Sequence, residues 1–189
     1  LNIIESAWKH GAKRLLFQGS SCIYPKDSIQ PITEESLLSG PLEHTNEWYA
    51  IAKIAGIKLC DALRKQHGFD AISLMPTNLY GPGDNYHQEN SHVMAALIRR
   101  FSEAQKYNHT KVTCWGSGTP RREFLHVDDL AEAVVHCLQF WDPASKHAPL
   151  ASNGEPLTFL NVGTGIDITI NKLAEKISQY CNFTGEIEW

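Results

Sequence analysis

The chain of 189 residues is 42% hydrophobic and 20% charged with a formal net charge of −4, a profile that allows a sizeable folded core and excludes a disordered or fibrous polypeptide. That weakly acidic balance gives no electrostatic ground for binding a polyanion, so neither a nucleic-acid nor a membrane partner is expected. Five cysteines without C-x-x-C spacing argue against a disulfide framework or a zinc site and fit a reducing cytoplasm, and no run approaches the roughly 18 apolar residues of a membrane span.

The first segment, residues 2–10, reads as a helix with Ile3, Ile4 and Trp8 apolar. Residues 13–18 form a short apolar run closed by Gly19-Ser20-Ser21, the pattern of a buried strand that delivers a polar loop at its carboxyl end, where open α/β sheets place ligands. Residues 24–41 are rich in Pro, Ser and acidic side chains and read as a long surface connection. Thr45 is a candidate N-cap for a helix ending at Gly68, with Ile51, Ile54, Ala55, Lys58 and Leu59 on its inner face. Residues 70–75 make the next strand, and strand–helix–strand order with unbroken apolar strands implies a parallel sheet covered on both faces.

Beyond it, residues 76–85 read as a loop because turn formers punctuate them, and Ser91 as the cap of a helix toward Lys106. Strands follow at 111–115 and 122–127, the second leading into Asp128-Asp129, acids suited to the amino end of a helix over 130–140. A strand at 159–162 with Gly163-Thr164-Gly165, a helix at 171–180 and a strand at 186–189 complete the chain, and residues 143–156 read as a loose insertion. The expected fold is α/β: part of a Rossmann-type doubly wound parallel sheet, with residues 1–80 mainly dinucleotide-binding. Residues 81–189 mix substrate-binding elements with strands and helices that return to the sheet.

Tyr49 and Lys53 stand four apart on the predicted helix, so both project from one face with Cβ atoms about 6 Å apart. A phenol titrates near 10, too high for a base at neutral pH, and a neighbouring ammonium stabilises the phenolate and lowers that value. Ser20, presented from an adjacent strand end, supplies a hydroxyl for the same substrate oxygen. The trio suits polarisation of a carbonyl for hydride attack. The Tyr-x-x-x-Lys spacing alone is common by chance; its weight comes from the strand ending in Gly-Ser-Ser upstream of the helix.

Together the strand before Gly19-Ser20-Ser21-Cys22-Ile23-Tyr24-Pro25, the segments NEWYAIAKIAG, MPTNLYGPGDN and NSHV, and then WGSGTPRREFLHVDDL and NVGTG resemble the extended short-chain dehydrogenase/reductase family. The likeness is to its branch of GDP-sugar epimerase-reductases. It covers the chain apart from 143–156. It implies a substrate, GDP-4-keto-6-deoxy-D-mannose, epimerised at C3 and C5 and then reduced at C4 by NADP(H) to GDP-L-fucose. It further implies Cys22 and His92 as the proton-transfer pair, with the acid and base roles open between them. Pro76, Thr77, Asn78 and Leu79 lie beside the nicotinamide by the same resemblance, as do Ser20, Tyr49, Lys53 and His92. Arg100, Trp115 and Arg122 face the GDP-sugar, for which guanidinium forks and an indole face are suited. A homodimer is implied for the parent enzyme.

Turn formation accounts for Tyr80, Asp84 and His87, and helix capping for Asp128; His87 is the one rival to His92. Cys60, Cys137 and Cys181 read as small core residues. No metal-ligand spacing is present. The glycine-rich turn that receives a dinucleotide pyrophosphate is missing from these residues, so the chain is expected to be an internal piece of a longer enzyme that alone binds NADPH weakly and aggregates. Competing readings are a 4-epimerase or 4,6-dehydratase of the same superfamily, from which Cys22 discriminates, and a non-catalytic cofactor-binding or remnant protein, against which the retention of all five catalytic candidates speaks.

Overall fold

A computed structural model describes residues 1–189. In chain order the elements are α1 (Asn2–Lys9), β1 (Arg14–Gln18), α2 (Glu47–His67), β2 (Asp70–Pro76), β3 (Asn78–Tyr80), α3 (Val93–Lys106) and β4 (Lys111–Thr113). The remaining elements are β5 (Arg121–His126), α4 (Val127–Phe140), β6 (Phe159–Val162), β7 (Asp167–Thr169), α5 (Ile170–Tyr180) and β8 (Glu186–Glu188). They fall into two compact units, Leu1–Thr77 with Asp128–Gly163, and Asn78–Val127 with Thr164–Trp189.

The first unit is built on a parallel sheet in the order β1-β2-β6. Central β2 is buried from Ala71 to Pro76, the reason its sequence shows an apolar run without alternation. On one face α2 packs Ile54 and Ile57 against Ile23, Tyr24 and Met75, and Cys60 and Leu63 against Ala71. On the other, α4 brings Val134 and Cys137, with Trp141 beyond it, against Leu16, Ile72 and Leu74. The sheet is thus covered on both sides, as the sequence implies. Arg14 joins four elements: Nη1 donates to Leu138 O at 2.7 Å in the last turn of α4, a second nitrogen to Trp141 O, and Nε lies 2.9 Å from Asp70, which Arg64 of α2 also grips. The guanidinium satisfies carbonyls that a helix end leaves without partners.

Helix α2 stops at Gly68, which adopts the left-handed conformation at φ 65°. Its start and its inner face differ from expectation. Residues 44–46 form a 3-10 turn, and Asn46, not Thr45, precedes the first helical residue. Buried positions are Ala50, Ile54, Gly56, Ile57, Cys60 and Leu63, whereas Ile51 and Lys58 are exposed. The Phe17 ring of β1 fills the space a Cβ on Gly56 would take, so contact at Gly56 sets the rotation of the helix over the sheet. Gly56→Ala is therefore expected to lower stability by about 1–3 kcal/mol, overpacking outweighing the roughly 1 kcal/mol gain in helix propensity. Urea unfolding would show this as a lower midpoint at unchanged slope.

Cys60 is buried, and burial pushes its thiol up to about 11 from 9.0. Because the folded state holds this proton more tightly than the unfolded one, its contribution to stability is complete below pH 9.0 and is lost as the pH rises through about 11. Burial, reinforced by Glu34, pushes the Tyr24 phenol up as well, with the same sign. Melting temperatures measured from pH 8 upward are expected to fall through this window in the native chain and to fall less steeply in Cys60→Ala.

The second unit holds two small sheets, β3-β5-β7 and β4-β8. Helices α3 and α5 face each other around Leu97, Phe101, Ala104, Leu173, Ala174 and Ile177. The loop expected at 76–85 contains a strand: β3 pairs in parallel with β5, Asn78 opposite Phe124, and Asn78 Nδ2 donates to Glu123 O at 2.9 Å. The turn begins only at Gly81-Pro82-Gly83. Strand β7, antiparallel to β5, was not expected. Helix α3 begins one residue later than predicted, with His92 rather than Ser91 at the N-cap position, whereas Thr169 caps α5 by accepting from Lys172 N at 3.2 Å. No helix is long and apolar enough to cross a membrane.

Candidate active site

In the first unit β1 runs out at Gln18 into a tight turn. Gly19 N donates to Leu74 O at 2.8 Å, and the Met75 side chain occupies the place a Cβ would need, so a larger residue here would have to displace it. Ser20 then caps the 3-10 turn Ser21–Ile23, its Oγ accepting from Cys22 N at 3.2 Å. Ile23 and Tyr24 are buried beneath, while Cys22 is exposed. The turn therefore presents a hydroxyl and a thiol two residues apart on an apolar foundation.

Lys53, one helical turn after Tyr49 on α2, donates from Nζ to Gln18 O at 2.8 Å, and Nζ lies 5.6 Å from the Tyr49 ring centroid and 5.4 Å from that of Phe17. The ammonium is thus tied to the strand end that leads into Ser20, beside the phenol whose anion it would stabilise. Tyr49 is 46% exposed. Its hydroxyl has no partner in the chain and is open to a ligand. Pro76 is buried at the end of β2; Thr77 N donates to Val162 O at 3.1 Å, while Thr77 Oγ1 is buried without a partner.

In the second unit, Arg100 and Trp115 are brought together: the guanidinium carbon stands 4.3 Å from the indole centroid, with Nη1 donating to Thr113 O at 3.1 Å. The cation–π contact holds an indole that is 75% exposed. Arg122 is exposed and its Nη1 donates to Arg121 O at 2.7 Å, whereas neighbouring Arg121 is paired with Asp167 at 2.7 Å. His92 is exposed and its side chain makes no cap bond. Asn78 and Leu79 belong to β3, the Asn78 amide being engaged by Glu123 O. Asp84 and His87 accept from the Asn85 and Glu89 amides within their own turn, and Tyr80 meets His126 edge-on.

Asn161 escaped the sequence reading. Its Oδ1 accepts from Tyr24 Oη at 2.5 Å, its Nδ2 donates to Ile32 O at 3.1 Å, and its backbone N donates to Glu34 Oε1 at 2.7 Å. The available signal was one amide side chain inside the otherwise apolar strand Phe159–Val162.

Comparison with known proteins agrees with this architecture. The model of the NAD dependent epimerase/dehydratase family matches residues 1–148. The probable GDP-L-fucose synthase 1 of Oryza sativa subsp. japonica is 56% identical over 189 residues, covering 100% of this chain and 54% of that protein. The GDP-L-fucose synthase of Escherichia coli (strain K12) is 53% identical over 187 residues, covering 98% of this chain and 57% of that protein. Among solved structures, a GDP-L-fucose synthetase from Naegleria fowleri bound to NADP superposes with a TM-score of 0.82 at 31% identity, covering 99% of this chain and 56% of the other. The chain spans about half the length of the curated relatives it matches. With its parallel sheet, its Tyr49–Lys53 pair at the end of β1 and a family match over most of its residues, the chain belongs to the NAD dependent epimerase/dehydratase family.

Proposed function

We propose that this chain carries the catalytic groups of an NADPH-dependent epimerase-reductase that converts GDP-4-keto-6-deoxy-D-mannose to GDP-L-fucose. The observation that supports it most is the Lys53 ammonium, bonded to Gln18 O at 2.8 Å and seated beside the Tyr49 ring. The residues present fit the nicotinamide end of a dinucleotide. Lys53 commits a single donor of its three to the protein, leaving two for ribose hydroxyls, and the Thr77 hydroxyl is a buried group without a partner. Bound NADPH supplies the hydride for C4. Ser20, Tyr49, Lys53 and Pro76 to Leu79, with His92, are the cofactor-side residues of this proposal.

Ser20 Oγ donates to the C4 carbonyl oxygen of the sugar, and Tyr49 delivers a proton to the same oxygen as it becomes an alkoxide. Lys53 stabilises the phenolate left behind as the proton leaves. Before that, Cys22 and His92 exchange protons at C3 and C5, positions acidified by the C4 ketone. Inversion results when one group removes a proton and the other returns one to the opposite face. Arg100, Trp115 and Arg122 are the proposed contacts to the GDP portion. Residues 1–80 serve mainly the dinucleotide and 81–189 mainly the substrate. A homodimer in the cytoplasm completes the reading; Ile3, Trp48 and Ile51 stay exposed on α1 and α2, apolar surface that a second copy would cover.

The test is a chimera in which this chain replaces the matching segment of the Escherichia coli relative. Supplied with GDP-4-keto-6-deoxy-D-mannose and NADPH, it is expected to lose absorbance at 340 nm. A folded, NADPH-binding chimera that oxidises no cofactor would refute the proposal.

A further inference from the structure

We infer that Asn161 is a positioning residue for proton transfer, holding Cys22 in place by latching the segment after that residue onto the sheet. This rests on the proposed role of Cys22. The turn bearing that thiol is secured upstream by Gly19 N on Leu74 O at 2.8 Å and by the strand itself. Downstream, the chain departs into residues 24–42, whose other contacts are 3-10 turns, the Lys26 N bond to Pro41 O at 3.1 Å, the Lys26–Glu43 ion pair, Ser152 N on the Glu35 carboxylate, and partly buried Ile32, Leu37 and Leu42. Asn161 is where that segment meets β6. Three of its polar groups are used, and all three point to the same segment: Oδ1 to Tyr24 Oη, Nδ2 to Ile32 O, and the backbone N to Glu34 Oε1.

Tyr24 lies two residues after Cys22, 5% exposed, with its ring packed among Ile23, Ile54 and Met75. Its hydroxyl is the end of a rigid lever whose other end is the backbone of the Cys22 turn, where Tyr24 N donates to Ser21 O at 3.3 Å and Ile23 N to Ser20 O at 3.2 Å. The amide at 161 accepts from the phenol through Oδ1 and donates to the Ile32 carbonyl through Nδ2. Aspartate has the shape but lacks the donor, and sets a second carboxylate next to Glu34. Ser20 comes directly off the strand and is anchored without the latch. Loss of Asn161 therefore acts on Cys22 chemistry before it acts on Ser20 and Tyr49.

Two measurements on Asn161→Ala, Asn161→Asp and Tyr24→Phe test this. In the chimera, amide hydrogen exchange at Ile23, Tyr24 and Leu37 is expected to speed up about tenfold in both Asn161 variants, the loss of one to two hydrogen bonds. Tyr24→Phe should give a smaller increase, and the β2 and α2 amides should keep their native rates. In the chimera, deuterium uptake from solvent at C3 and C5 of the keto sugar is expected to slow about tenfold, with KM for the GDP-sugar within twofold of native. Unchanged exchange at 23–37, or equal acceleration in β2 and α2, overturns the latch. Normal deuterium uptake despite a loosened segment overturns its positioning role. A native chimera that takes up no deuterium instead refutes the role given to Cys22, while the exchange data still judge the latch.

Discussion

Tyr49→Phe in the chimeric enzyme is expected to lower the turnover of ketone reduction by about 10²- to 10⁴-fold, the usual contribution of a positioned proton donor, while leaving sugar binding nearly intact. The Tyr49 hydroxyl has no structural duty: it is solvent-facing on α2 and bonded to nothing in the chain. Its removal cannot act through the fold. Lys53→Met is expected to reduce turnover too, because the ammonium 5.6 Å from the ring centroid no longer stabilises the phenolate formed as the proton leaves. The measurement is kcat at saturating substrate. Turnover within twofold of native in Tyr49→Phe would remove this residue from the chemistry.

Cys22→Ser should separate the two halves of the reaction. A serine hydroxyl keeps nearly the shape of the thiol but is a far weaker acid than a thiol, so it does not release a proton at the required rate. Deuterium uptake at C3 or C5 is expected to fall at least about a hundredfold. Reduction at C4, assigned in the proposal to Ser20, Tyr49 and Lys53, is expected to continue and to deliver a 4-reduced sugar of unchanged configuration at C3 or C5. His92→Gln is expected to impair the partner proton transfer in the same assay. Equal loss of both activities in Cys22→Ser would mean that the thiol serves the whole site rather than one step.

The parts of the fold legible in the sequence are those with a local physical cause. Strands β1 and β2 show as apolar runs because they are covered on both faces, and α2 shows its end because Gly68 takes the left-handed conformation. What escaped has nonlocal causes. Strands β3 and β7 are three residues each, too short for any period, and form only because β5 lies between them. The inner face of α2 was misplaced because the Phe17 ring against Gly56, not the helix's own apolar stripe, sets its rotation. Asn161 was invisible because Tyr24 and Glu34 lie 137 and 127 residues away in sequence.

At the site, the Tyr49–Lys53 spacing was readable from helix geometry alone, but the Lys53 bond to Gln18 O required the packing of α2 on β1. Arg100 and Trp115, singled out separately, prove to make a cation–π contact. The guanidinium carbon stands 4.3 Å from the indole centroid, a contact no linear motif expresses.

The central claim, that one chain holds both the carbonyl-reducing and the proton-exchanging groups, is tested most directly by running the chimera with GDP-4-keto-6-deoxy-D-mannose and NADPH in deuterium oxide and identifying the product by NMR. The account predicts GDP-L-fucose carrying deuterium at C3 and C5 and protium at C4. A 4-reduced sugar with protium retained at C3 and C5 would contradict it.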